Sequence, residues 1–129
     1  MLLFLSVVVV LVVYNKNIVN EFVKFTAKEL QLKSLPAKIK MVGSDYSKQH
    51  LTFGTYQPDN DEIVIVKNGR HMVDTLRTLA HELVHHKQRE EQKELDGTDG
   101  SEIENEANAM AGTLLRKFRY LYPEMYSEK

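Results

Sequence analysis

Thr78-Leu79-Ala80-His81-Glu82-Leu83-Val84-His85-His86, inside a stretch from about Arg70 to Lys93, decides how this chain is read. Leu76, Leu79, Ala80, Leu83 and Val84 recur at helical spacing and form one apolar stripe, while Thr78, His81, His85 and Gln88 fall on a polar flank. The spacing predicts a helix from about Arg70 to Lys93, with Asn68 before it as a possible N-cap. Such a helix packs its stripe on a core and still offers both flank histidines to a cleft.

Residues four apart on a helix stand on the same face, so His81 and His85 project together. Two imidazoles at that spacing can share one zinc ion at ~2.0–2.1 Å each. Glu82 is rotated away from easy ligation but within reach of a metal-activated water. This is the H-E-x-x-H pattern, with the glutamate as general base of peptide hydrolysis. Three fixed positions also arise by chance on solvated helix faces; the apolar stripe beside them favours the site.

Working outward, Ile18 to Leu32 reads as an amphipathic helix and Ala37 to Val42 as a strand with one solvated face. Gly43 to Gln49 reads as a polar loop. Leu51 to Tyr56 and Glu62 to Val66 read as a hairpin around the turn formers Gln57-Pro58-Asp59-Asn60-Asp61. After the loop Asp96 to Gly100, Ser101-Glu102-Ile103-Glu104 has the capping-box pattern and opens a last helix to about Tyr122, before Pro123. This order predicts an α+β domain: a small, mostly antiparallel sheet packed on helices, with the histidine helix followed by a third-ligand helix.

With 129 residues the chain has the length of one domain, placed at residues 15–129. Leu2 to Val13 is apolar except for Ser6, too short to span ~30 Å of hydrocarbon comfortably as a helix. No Lys or Arg precedes it, and Tyr14-Asn15-Lys16 is a poor cleavage site. Residues 1–14 are read as a signal or membrane anchor, an appendage or a buried element; the domain is expected to fold without them. Absence of cysteine excludes disulfides and thiolate metal sites and fits a reducing compartment. A cytoplasmic location is favoured for the domain, with anchoring or export possible through residues 2–13. Seventeen Lys and Arg against eighteen Asp and Glu give no electrostatic case for nucleic acid. The partner expected is a protein or peptide substrate, with membrane contact only if residues 1–14 act as an anchor.

A catalytic zinc needs a third protein ligand and an open position. No His or Cys follows His86, and the metzincin places for Gly and His hold Gln88 and Glu91. Carboxylates remain: Asp96, Asp99, Glu102, Glu104 and Glu106. Glu104 has a role as capping partner of Ser101, and Glu102 suits the helix dipole in the first turn. Glu106 lies on the flank of the stripe Ile103, Ala107, Met110, Ala111, Leu114 and Phe118, and is favoured; Glu102 and the Asp96/Asp99 loop stay open.

The segment Thr78 to His86, followed by Glu104-Asn105-Glu106-Ala107-Asn108-Ala109-Met110-Ala111, resembles a gluzincin-type zinc metallopeptidase. Its Glu-Ala-Asn-x-x-Ala form is similar to that of the small ImmA/IrrE-type peptidases. From about Ile18 onward the chain also resembles compact metallopeptidases encoded by bacteriophages. The strong part covers roughly Arg70 to Arg116. The resemblance implies His81, His85 and Glu106 as ligands of one Zn²⁺ and Glu82 as base. The Asp that thermolysin-like enzymes carry four residues after the ligand glutamate is replaced here by Met110, and no separate substrate domain is present.

His86 points about 100° from His85 and is read as making no direct metal contact. His50 and His71 read as ordinary loop or helix-start residues. Tyr56, Tyr120, Tyr122 and Tyr126 are candidate oxyanion donors, each more simply structural. Gly54-Thr55-Tyr56 could border the cleft as a strand to which a peptide adds. Arg116, Lys117 and Arg119 suit a helix C-terminus. Two other functions compete. A zinc-stabilised structural or interaction module, such as a phage accessory or virion component, has no need of Glu82. A DNA-associated protease of the SprT type predicts a third histidine ligand and a basic DNA-binding surface; no histidine follows His86 and the charge balance is near zero.

Overall fold

The computed structural model describes residues 16–67, 71–93, 95 and 100–123. The apolar segment 1–14, the Asn68 cap, Asp96, Asp99 and Tyr126 lie outside them. The elements are α1 (Lys16–Leu30), β1 (Lys38–Val42), α2 (Ser44–His50), β2 (Gly54–Gln57), β3 (Glu62–Val66), α3 (Met72–Glu90) and α4 (Glu102–Leu121). The fold is α+β, with a three-stranded sheet of order β1-β3-β2 packed against helices. The expected loop 43–49 contains instead the short helix α2, closed by Leu51 in the left-handed region at φ 55°.

β2 and β3 form the expected antiparallel hairpin, with Tyr56 opposite Ile63 and Gly54 opposite Ile65. β3 then lies beside β1 and runs parallel to it, Ile39 opposite Ile63, so the sheet is mixed. Alternation along residues 37–42 marks a strand and its two faces but carries no direction, which the order of pairing decides. The hairpin turn is fastened by Asn60 N–H to the Gln57 carbonyl at 3.2 Å and Asp61 N–H to the Pro58 carbonyl at 3.2 Å. Asp61 also accepts the Ala37 N–H at 3.0 Å, pinning the entry of β1 to the same turn.

Period-two geometry sends Ile39, Ile63, Ile65, Tyr56 and Gly54 to one face of the sheet. That face packs on α3, which also contacts α1 and α4. Leu76, Leu79 and Leu83 of α3 are fully buried, as are Phe22 of α1 and Phe118 of α4. Phe118 meets Phe22 edge-on at 5.0 Å, joining the first helix to the last. Burying a side chain of that size stabilises by roughly 1.5–3 kcal/mol. Among the described residues no helix is long and apolar enough to cross a membrane.

Candidate metal centre

α3 is capped by His71, whose Nδ1 accepts the Val73 N–H at 3.0 Å. Its polar flank then faces α4. Ser101 caps α4 by accepting the Glu104 N–H at 3.2 Å. This cap uses only the backbone of Glu104 and leaves its carboxylate free to cross to α3. Glu104 Oε1 lies 3.1 Å from His81 Nε2, and Oε2 lies 2.8 Å from His85 Nε2. The two Nε2 atoms are 3.1 Å apart. His81, His85 and Glu104 form the one group among the described residues whose donor atoms could hold a metal ion together.

The donor set fits zinc. Ligands at ~2.0–2.1 Å in a tetrahedron stand ~3.3 Å from each other, close to the separations here. Two imidazole nitrogens and a carboxylate converge, with lone pairs and one negative charge facing a common point. His85 is already oriented for this: its Nδ1 donates to Gln88 Oε1 at 2.8 Å, leaving Nε2 as the inward atom. Asn108, one turn beyond Glu104, hydrogen-bonds His81. Burial, and then the neighbouring His85, hold the His81 pKa below its ordinary value. A neutral imidazole is the form that binds a metal.

Glu106 is not in this cluster, which corrects the sequence expectation. Its Oε1 accepts from Gln88 Nε2 at 2.6 Å and lies 3.4 Å from Lys93 Nζ. The reason is rotation. Ala107, Ala111, Leu114 and Phe118 are the buried stripe of α4, and stepping back three residues lands on Glu104. Glu106 is about 200° round from Glu104. Glu102 is exposed in the first turn. The stripe, continued one turn towards the N-terminus, was the available signal; the capping role hid it.

Glu82 lies beside the cluster, with only 6 % of its surface exposed. Burial, and then the Glu104 charge, push its pKa up to about 8. It lines a cleft of about 450 Å³ together with His81, His85, Glu104 and the strand residues Gly54, Thr55 and Tyr56. β2 is an outer strand of the sheet, so it borders the cleft as the sequence suggested. Gly54 permits that approach: a Cβ there would collide with Thr78 Cγ2 and sit 3.5 Å from Glu82 Oε2.

The remaining candidates go elsewhere. His86 turns away from the cluster and is 2 % exposed. Its Nε2 donates to the Ser34 carbonyl at 2.7 Å, and its Nδ1 accepts from the Tyr56 hydroxyl at 3.1 Å. Tyr56 therefore lines the cleft with its hydroxyl committed behind it, and burial raises that hydroxyl's pKa. Tyr122 donates to Glu21 at 2.9 Å, and Tyr120 is exposed on α4. His50 stacks on Tyr46. Lys117 pairs with Glu29 at 3.0 Å, tying α4 to α1.

Two helices thus carry a His81/His85/Glu104 cluster with the make-up of a zincin-like metal site. No family model, no curated protein and no solved structure matches the chain.

Proposed function

We propose that this chain is a small zinc-dependent peptidase of gluzincin type, with His81, His85 and Glu104 as ligands and Glu82 as general base. The observation that carries it is Glu82: a buried carboxylate on the cleft wall beside three converging donors, with no cation among the described residues to offset it. Burying such a charge unpaired is costly, and a structural zinc, closed by four protein ligands, has no use for it. A zinc ion in this site supplies a Lewis acid and lowers the pKa of a water towards ~7. Glu82 takes the proton from the attacking water and delivers it to the leaving amine. Positive charge among the donors opposes the burial and repulsion that raise Glu82, returning it to the ionised form a base requires.

An extended peptide laid along β2 by backbone pairing brings its carbonyl to the donor cluster. Gly54 keeps the strand close enough to Glu82 for both to act on one bond. The test is a peptide library digested by the zinc-loaded protein and by Glu82→Gln, with products read by mass spectrometry. Cleavage by the parent, reduced ~10²–10⁴-fold in a variant that keeps its zinc, is the expected result. No cleavage by either would favour the zinc-stabilised module, and equal cleavage by both would remove Glu82 from the role of base.

A further inference from the structure

Gln88 is 1 % exposed, yet both ends of its amide are used. Oε1 accepts from His85 Nδ1 at 2.8 Å, while Nε2 donates to Glu106 Oε1 at 2.6 Å and to the Ile103 carbonyl at 3.1 Å. Donors and acceptors leave this amide one orientation: a flipped amide would point NH₂ at the ring N–H and oxygen at two acceptors. The chain is therefore directional, from His85 through Gln88 to Glu106. Its far end is fixed by the C-terminal turn of α3. Gln92 takes φ 64°, which lets the Lys93 N–H reach back to the Gln88 carbonyl at 3.0 Å. Lys93 Nζ then stands 3.4 Å from Glu106 Oε1.

We propose that Gln88 and Glu106 are positioning residues of the metal centre, acting as a relay that fixes His85 with Nε2 as its metal-facing lone pair. The inference rests on the zinc reading above and deepens it. A free imidazole divides between two tautomers and can swing about χ2; only one arrangement presents Nε2 towards Glu104. Gln88 selects it by accepting from Nδ1–H. Glu106 and the Ile103 carbonyl in turn keep the amide from turning over. The relay also ties the two ligand-bearing helices together one turn beyond the donors, so α3 and α4 are joined on both sides of His85. Losing an outer partner of a ligating histidine typically lowers metal affinity ~10–100-fold.

The test uses the full chain. Zinc affinity is measured by competition with a chromophoric chelator for the parent, Gln88→Leu, Glu106→Ala and the double swap Gln88→Glu with Glu106→Gln. The histidine tautomers are read from ¹⁵N NMR of the metal-free proteins. The relay predicts ~10–100-fold weaker zinc for Gln88→Leu. Glu106→Ala should show a smaller but measurable loss. The swap keeps an acceptor for the His85 Nδ1–H and a donor–acceptor pair between positions 88 and 106, though it leaves the Ile103 carbonyl without its donor, and should bind more tightly than Gln88→Leu. The parent should show His85 with a proton on Nδ1, whether or not Nε2 also carries one towards Glu104. If Gln88→Leu does not fold, Glu106→Ala and the swap decide by the same measure. Unchanged affinity in the folded variants, or an Nε2–H tautomer for His85 in the parent, overturns the relay. Failure of the parent to bind zinc would instead strike the metal reading, and the tautomer spectrum would still judge the relay alone.

Discussion

The Glu104 carboxylate stands 2.8 Å from the His85 imidazole across the seam between α4 and α3, two residues before a second glutamate that turns the other way. The contact settles which of the acidic residues of α4 shares a site with the histidines. Glu104→Ala should weaken zinc binding by orders of magnitude, because a two-histidine remnant has lost its anionic donor. Glu102→Ala should bind as the parent does, since Glu102 is exposed in the first turn. Chelator competition on both variants checks this, and equal affinities would contradict it.

Glu82 gives the metal-free protein a pH signature. Its folded pKa is raised from 4.5 to about 8, so the folded state binds the proton more tightly than the unfolded chain. The stability it contributes is complete below pH ~4.5 and is lost as pH rises towards about 8. His81 is held below 6.5, so its own contribution has the opposite sign and acts below that pH. Between pH 6.5 and 8.5 the Glu82 effect is therefore isolated. In excess chelator, Glu82→Gln should melt at least ~3 °C above the parent at pH 8 and lie closer to it at pH 6.5. A difference that does not change with pH would contradict the assignment.

Gly54 is the point where β2 meets α3. Gly54→Ala puts a methyl into Thr78 and against Glu82, so strand or helix must shift. Overpacking of this kind costs about 1–3 kcal/mol, and the shift widens the gap between β2 and the cluster. Denaturant unfolding should show the loss. Peptide cleavage should fall further than zinc affinity, because the strand is not a ligand.

Phe118 anchors α4 on α1 and is completely buried. Phe118→Ala should cost about 3–5 kcal/mol, a large part of the stability of a domain this size. It lies several turns from Glu104 on α4. Excess zinc should therefore shift the variant towards the folded state by mass action, and the folded protein should bind zinc as the parent does.

Periodicity carried much of the sequence reading and also set its limits. The α3 stripe and the His81/His85 spacing were legible because helical geometry turns spacing into direction. The Ser101 cap was legible because Ser at that place followed by an apolar stripe has few other uses. Glu104 was obscured because one residue serves twice, its N–H in the cap and its carboxylate at the histidines. Gln88 is three residues after His85, on the same face, and could have been paired with it on spacing alone. What spacing could not supply was the packing of α4 on α3, which decides which glutamate crosses the seam. The mixed sheet was hidden for the same reason: strand direction is set by the order β1-β3-β2, a long-range property.

The most direct test of the account is a crystal structure of the zinc-loaded protein with anomalous data at the zinc edge. The account predicts one zinc per chain, with His81 Nε2 and His85 Nε2 at ~2.0–2.1 Å, a Glu104 oxygen at ~2.0–2.2 Å and the fourth position open to the cleft. Zinc bound by Glu106, or closed by a fourth protein ligand with Glu82 turned from the cleft, would contradict it.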